Sequence, residues 1–140
     1  YSVATIGIFS ILIKLKDYTY DGFNGLAKKD PMLAFVGAIF LFSLAGIPLT
    51  AGFFAKWYVL TSVLENGNGL LWLVIFASVM AAVSSYYYFR VIIAMYFKQG
   101  EAEMIESVTF NDRLWLGVSA AIVIILGVAP DLLLYVLQRV

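Results

Sequence analysis

The chain has 140 residues, of which 63% are hydrophobic and 13% charged, and its nine basic residues balance nine acidic ones. Soluble domains carry about a quarter of their residues as charges, so this composition excludes a soluble globular domain and indicates an integral membrane protein. Because the chain has no net charge, no cysteine and no histidine, we predict neither a nucleic-acid partner nor a metal site, disulfide, redox cofactor or catalytic centre within it.

The chain begins with a short apolar run, Val3 to Ile13. A bilayer span needs about 20 residues, so we interpret residues 1–13 as a truncated helix and expect residues 1–140 to be the C-terminal part of a longer polytopic chain. No basic region or small-residue cleavage site precedes the run, which argues against a signal peptide. Residues 14–30 interleave lysines and aspartates with aromatic residues, which predicts an amphipathic loop along the membrane surface.

The predicted centre of the fold is an apolar segment over residues 31–64. As one straight helix it would measure about 50 Å, against a bilayer core of roughly 30 Å. Gly46, Pro48 and Gly52 lie in its middle, where a proline removes a backbone donor and glycines permit irregular backbone. The sequence therefore predicts one broken transmembrane helix, a feature that marks transport sites in membrane proteins.

Two half-helices are predicted on either side of this break, over about residues 31–45 and 50–64. Asp30 is expected to accept hydrogen bonds from the free amides of the first half, and Pro31 at its first position costs no hydrogen bond. Thr50 begins the second half, where its hydroxyl is a candidate support for a proton path.

Lys56 is the only charged residue between Asp30 and Glu65, and it lies about 13 Å inside the apolar segment, counted from the Glu65 end. A lysine at the centre of a bilayer costs roughly 2.5 to 3.5 kcal/mol, so it normally faces protein or water rather than lipid. Burial disfavours the charged form of an amine, which allows it to exchange protons. We predict proton transfer at Lys56; the alternative is a lysine whose stem snorkels to an interface.

A second complete span is predicted over residues 70–97, after a compact turn at residues 65–69. Arg90 lies towards the end of this run, where its guanidinium can reach the headgroups and the neighbouring tyrosines can form part of an interfacial belt. Anchoring is the preferred interpretation of Arg90, and a transport role is the alternative.

The last predicted elements are a polar, acidic loop over residues 98–112 and a third full span over residues 114–129. Asn111 or Asp112 is expected to cap this span. A proline then ends or kinks the helix, and residues 132–137 are predicted to form a short interfacial tail. The fold class is therefore an all-α polytopic membrane protein with one truncated helix, one broken transmembrane helix and two further transmembrane helices.

The loop charges predict an orientation. Lysine and arginine concentrate in residues 14–29 and 98–113, whereas the turn at 65–69 contains none. Loops on the cytoplasmic side are enriched in basic residues, so both basic loops are expected to face the cytoplasm, matrix or stroma.

Several short motifs follow one another in register: Gly25-Leu26-Ala27, Pro31, Ser43-Leu44-Ala45-Gly46-Ile47-Pro48, Thr50, Ala51-Gly52-Phe53, Lys56-Trp57-Tyr58, and Ser85-Tyr86-Tyr87-Tyr88 with Arg90. With these motifs the chain resembles the antiporter-like membrane subunits of respiratory complex I (NADH-quinone oxidoreductase), and it is most similar to subunit N, subunit 2 in mitochondria. The resemblance implies roughly fourteen helices with two inverted repeats, of which residues 1–140 would be the C-terminal part of a proton-antiporter-like domain.

The resemblance also implies a role for Lys56. It matches the family's lysine in the second broken helix, which is implicated in proton transfer to or from the outer half-channel. Subunit M typically has a glutamate at this position, so a lysine favours subunit N or L, and the lack of a long lateral helix before Val140 favours N. The glutamate and lysines of the first repeat would lie on earlier helices.

Three functions from different classes remain open. The preferred one is a proton-translocating subunit of NADH:quinone oxidoreductase, with quinone reduction in other subunits. Its partners would be other membrane subunits, the lipid bilayer and protons, with quinone only indirectly involved, and its location the bacterial inner membrane, with mitochondrial inner and thylakoid membranes as alternatives. The others are a subunit of a multi-subunit cation/proton antiporter and a membrane scaffold that translocates nothing.

Overall fold

The computed structural model describes residues 1–65, 70–100, 102–105 and 107–130. Within these ranges the regular elements are helices, and the only extended pairing is one isolated antiparallel bridge between Leu15 and Met104. A single 3-10 turn lies in the first loop, at Tyr20–Phe23. The helices are α1 (Ser2–Leu12), α2 (Leu26–Lys29), α3 (Pro31–Ala45), α4 (Ala51–Glu65), α5 (Leu71–Phe97) and α6 (Phe110–Val128).

Helix lengths confirm the predicted fold class. Among the described residues, α5 and α6 are long and apolar enough to cross a membrane. Helices α3 and α4 have 15 residues each, so each is about 22 Å long and shorter than a bilayer core of roughly 30 Å. Since five residues separate them, α3 and α4 are the two halves of the predicted broken helix.

Helix α3 lies at the centre of the packing. It contacts α1, α4, α5 and α6, and ten of its 15 residues are buried, including Leu33 and Phe40. A helix that is apolar on all sides is suited to such a position, because no polar face has to reach solvent. In α4, by contrast, only Gly52 is buried.

The predicted cap of α3 is confirmed. The Asp30 carboxylate accepts a hydrogen bond from the Leu33 amide at 3.1 Å, and Pro31 occupies the first helical position. The same carboxylate accepts from the guanidinium of Arg113 in α6 at 2.7 Å. Asp30 is buried, so this ion pair satisfies a carboxylate that would otherwise be costly to remove from water.

The predicted start of the last span is wrong. Helix α6 begins at Phe110, four residues before the expected start at residue 114, and its cap is Thr109 rather than Asn111 or Asp112. The Thr109 hydroxyl accepts from the Asp112 amide at 3.3 Å, and the Asp112 carboxylate accepts from the Thr109 amide at 3.1 Å. This reciprocal capping box satisfies two amides at once, which explains why the helix extends further into the loop.

The two basic loops lie on the same face, as predicted. The Lys16 amide donates to the Glu103 carbonyl and the Ile105 amide to the Lys14 carbonyl, each at 2.9 Å. The Lys16 and Glu103 side chains form an exposed ion pair at 2.6 Å. This bond lowers the pKa of the Glu103 carboxyl and raises that of the Lys16 amine.

Three expectations fall partly or wholly outside the described residues. The first is the compact turn, of which Glu65 is described and residues 66–69 are not. The second is the acidic loop, at Glu101 and Glu106. The third is the tail over residues 132–137.

Candidate functional site

Helix α3 ends in a left-handed glycine. Gly46 has φ +83°, and its amide donates to the carbonyls of Phe42 and Ser43 at 3.0 and 3.1 Å. Residues with a Cβ rarely adopt this conformation, whereas glycine adopts it readily and commonly terminates helices in this way. The remaining carbonyls at the end of α3 need donors from elsewhere in the molecule.

The turn between the half-helices contains Pro48, Leu49 and Thr50. Leu49 has φ +77°, a left-handed conformation that costs a leucine roughly 1–2 kcal/mol. Thr50 is buried, and its hydroxyl donates to the Ile47 carbonyl at 2.7 Å. The Thr50 hydroxyl thus lies within the turn, where its hydrogen bond stabilises the backbone conformation.

Close contacts hold the two half-helices together at the break. The Gly52 amide donates to the Ser43 hydroxyl at 3.2 Å, and a Cβ on Gly52 would overlap the Ser43 carbonyl oxygen. From the other side, Gly127 of α6 packs so closely that a Cβ there would overlap the backbone of Thr50. Small residues permit such approach between membrane helices.

The Lys56 side chain reaches back from α4 to the end of α3. Its Nζ donates to the carbonyls of Leu44 and Ala45, both at 2.9 Å. These are among the last carbonyls of α3, which lack intrahelical partners and form the negative end of the helix dipole. Lys56 is half-buried. Its amine therefore contacts protein, and this geometry favours the interior interpretation over snorkelling.

Two hydroxyls from elsewhere in the chain converge on the same carbonyls. The hydroxyl of Tyr1, which precedes α1, donates to the Leu44 carbonyl at 3.3 Å. The Ser85 hydroxyl of α5 lies 3.3 Å from the Ala45 carbonyl and 2.9 Å from the Ala81 carbonyl of its own helix. The sequence predicts neither residue as part of the site, because helical periodicity does not reveal which side chains from different parts of the chain meet.

Lys56 also faces a groove between α4 and α5. This groove has a volume of about 410 Å³, and its polar lining includes Tyr1 and Tyr88. A second groove of about 510 Å³ extends from these two tyrosines towards Tyr18 and Tyr20 in the first loop. The two grooves therefore share a wall at Tyr1 and Tyr88, and Lys56 lies next to open space.

Arg90 lies away from this cluster, at the loop end of α5. Its guanidinium carbon is 4.4 Å from the centroid of the Tyr20 ring, a cation–π geometry that joins α5 to the first loop. The described residues contain no group of three or more acidic side chains that could hold a metal ion.

Comparison with known proteins identifies the family. A family profile described as "NADH:quinone oxidoreductase/Mrp antiporter, TM" matches residues 1–84. The chain is 39% identical to NADH-quinone oxidoreductase subunit N of Cytophaga hutchinsonii over 136 residues, which cover 96% of this chain and 29% of that protein. It is also 39% identical to subunit N of Trichlorobacter lovleyi over 145 residues, with 99% and 29% covered.

A solved structure gives the same result at the level of the fold. A chain of respiratory complex I from Thermus thermophilus with bound aureothin superposes with a TM-score of 0.84 at 26% sequence identity. The match covers 94% of this chain and 31% of that chain. The chain thus spans about three tenths of the length of the relatives that it matches.

Proposed function

We propose a function for this chain, which belongs to the NADH:quinone oxidoreductase/Mrp antiporter transmembrane family. It is part of a proton-translocating subunit of NADH:quinone oxidoreductase. Quinone reduction takes place in other subunits, and this chain transfers protons through Lys56. Its partners are other membrane subunits of the complex, the lipid bilayer and protons, with quinone involved only through coupling. The bacterial sources of the relatives fit a location in the bacterial inner membrane.

The observation that carries the proposal is the position of the Lys56 ammonium on the Leu44 and Ala45 carbonyls at the end of α3. Backbone carbonyls at the end of a broken helix stabilise a cation without supplying a fixed negative charge. An ammonium has three donors, and the bonds to Leu44 and Ala45 use two of them. The third is available for water in the adjacent groove, through which a proton can leave.

Coupling to distant chemistry needs only a change in the charge near Lys56. In a low-dielectric interior, a charge that approaches or leaves an amine changes its affinity for protons strongly. A series of such steps along neighbouring titratable groups can carry the effect from the redox centres to this chain. Lys56 is then the residue at which the signal becomes proton release.

The test is the Lys56→Met substitution in the full-length subunit of the assembled complex. Methionine keeps much of the side-chain length but carries no titratable group. We expect quinone-coupled proton pumping in proteoliposomes to fall severalfold or more, while assembly persists. Lys29→Met, which removes an exposed lysine, is the control and should pump as the wild type does. A wild-type proton-to-electron ratio in the assembled Lys56→Met complex would leave only a packing role for Lys56.

A second candidate follows from the description of the matched family, which includes Mrp antiporters. In that case the protein exchanges a cation for protons without redox chemistry. Sodium uptake driven by an imposed pH gradient, measured in proteoliposomes without NADH, distinguishes the two. Such uptake would favour the antiporter, and its lack together with NADH-driven pumping would favour the oxidoreductase subunit.

A further inference from the structure

Each carbonyl that holds the Lys56 ammonium has a second donor nearby. The Leu44 carbonyl accepts from Lys56 at 2.9 Å and from the Tyr1 hydroxyl at 3.3 Å. The Ala45 carbonyl accepts from Lys56 at 2.9 Å and lies 3.3 Å from the Ser85 hydroxyl. Since the two hydroxyls come from different parts of the chain, the presence of a second donor at each carbonyl does not follow from local helix geometry.

The Ser85 hydroxyl has a choice between two acceptors. It carries one proton and therefore donates to one acceptor at a time. The carbonyl of Ala81, at 2.9 Å, is the shorter partner, and that of Ala45, at 3.3 Å, is the longer one. While the ammonium occupies the Ala45 carbonyl, the hydroxyl can remain on Ala81; when the ammonium leaves, rotation about one bond brings the hydroxyl to Ala45.

This choice affects proton release, because a carbonyl without a donor is unfavourable inside a membrane. Release of a proton from Lys56 weakens its hold on both carbonyls, since a neutral amine is a poorer donor than an ammonium. Without other donors, the penalty for the two carbonyls would oppose release. Hydroxyls that replace the ammonium reduce that penalty.

We infer that Ser85 and Tyr1 are stand-in donors, that is, positioning residues that keep the Ala45 and Leu44 carbonyls hydrogen-bonded when Lys56 releases its proton. Ser85 does so by turning to the Ala45 carbonyl, and Tyr1 by the bond that it already donates to the Leu44 carbonyl. The inference rests on the proposed function and extends it by naming residues that set how readily the lysine discharges. Neither hydroxyl has to carry the proton itself.

The pH dependence of pumping tests this inference with few competing groups. The titratable side chains that line the groove beside Lys56 are Tyr1, which precedes α1, and Tyr88 of α5. On and next to the helices packed against α4, the described charged groups lie near the loops. They are Asp30, which caps α3, Arg90 on α5, and Asp112 and Arg113 on α6. Among the described residues, Lys56 is the only charged side chain that lines this groove, so a shift of the profile in these variants reports on Lys56.

The experiment measures quinone-coupled pumping against pH in the reconstituted, fully assembled complex. In Ser85→Ala the Lys56 ammonium still donates to the Ala45 carbonyl, but this carbonyl no longer has the Ser85 hydroxyl as a donor once Lys56 has released its proton. Lys56 therefore retains its proton to higher pH. We expect the pH of half-maximal pumping to rise by about 0.5 to 1 unit, or a three- to tenfold loss at fixed pH on the rising limb. Ser85→Thr keeps the hydroxyl and should restore the wild-type profile.

Ser78→Ala is the matched control. Ser78 lies two turns earlier on α5, and its hydroxyl donates to the Val74 carbonyl of its own helix at 2.8 Å. Its removal should leave the profile unchanged. Tyr1→Phe tests the second stand-in independently and should shift the profile in the same direction as Ser85→Ala. Its control is Tyr87→Phe, since the Tyr87 side chain is exposed.

The possible outcomes separate this inference from the proposed function. If Lys56→Met lowers pumping severalfold while Ser85→Ala and Tyr1→Phe match their controls, the stand-in role is wrong and the relay remains. If Lys56→Met pumps normally, the relay itself fails. If Ser85→Ala does not assemble, Tyr1→Phe decides: a shift supports the stand-in role, and an unshifted profile overturns it.

Discussion

Gly52 determines how closely the two half-helices approach, and this distance allows Lys56 to reach the end of α3. Its amide bonds to the Ser43 hydroxyl, and the space for a Cβ is already occupied by the Ser43 carbonyl oxygen. The reach of Lys56 to the carbonyls of Leu44 and Ala45 depends on this contact.

We expect Gly52→Ala to destabilise the protein by about 1–3 kcal/mol, because the added methyl group must displace backbone rather than a flexible side chain. Thermal unfolding of the purified complex or subunit measures the effect. Gly117→Ala is the control: a Cβ on Gly117 meets only the end of the Met32 side chain, at 3.7 Å. Equal midpoints for the two variants would contradict the close packing at the break.

Single residues differ in how visible their roles are in the sequence. Gly46, Pro48, Gly52 and Lys56 were identifiable because each is an exception within a long apolar run. The hydroxyl of Ser85 carries no such signal, since serine is common in membrane helices and the Ala45 carbonyl that it approaches is 40 residues away. Such contacts depend on helix packing, which the sequence pattern does not specify.

Among the helices, α6 supports the broken helix at two points. Near the loops, Arg113 pairs with Asp30 at the start of α3. At the break, Gly127 packs against Thr50. Because α6 contacts both the start of the first half-helix and the turn before the second, it supports the broken helix at both ends of α3.

We expect Arg113→Ala to lower the free energy of unfolding by about 2 kcal/mol. Loss of one partner of a buried ion pair typically costs about 3–5 kcal/mol, and the solvent exposure of Arg113 reduces the effect. The Asp30 carboxylate is 8% exposed and Arg113 42% exposed. Denaturant or thermal unfolding measures the change.

The control for this prediction is Glu103→Gln, which breaks an ion pair with both side chains about two-thirds exposed, at 67% and 68%. We expect no measurable change, since exposed pairs contribute little. An effect of Glu103→Gln as large as that of Arg113→Ala would indicate that burial of Asp30 has no special importance.

The sequence predicted the existence of the long helices better than their ends. The break between α3 and α4 was predicted because proline and glycine have known effects on the backbone. The start of α6 was wrong by four residues, although Thr109 and Asp112 have the spacing of a capping box. The capping box therefore places the start of α6 before the apolar run, which begins near residue 114.

At the scale of the whole chain, the described residues surround the first half-helix and leave the second largely uncovered. Helix α3 is mostly buried and α4 is buried only at Gly52, so Lys56 lies at the boundary between packed protein and a groove. The sequence predicted that the two basic loops share one face, and the structure confirms this through the hydrogen bonds between them. That this face is cytoplasmic remains a prediction.

The central claim is that Lys56 releases a proton during turnover, and Lys56→Arg tests it most directly. Arginine remains charged and can donate to the same Leu44 and Ala45 carbonyls, but it does not release its proton at physiological pH. The substitution therefore preserves the contact between the half-helices while it prevents proton exchange.

The measurement is the proton-to-electron ratio of the assembled Lys56→Arg complex in proteoliposomes during NADH-driven quinone reduction. We predict an assembled complex with a reduced ratio, because this subunit no longer contributes its protons. A wild-type ratio would contradict the account, since it would show that a permanent cation on the Leu44 and Ala45 carbonyls is sufficient.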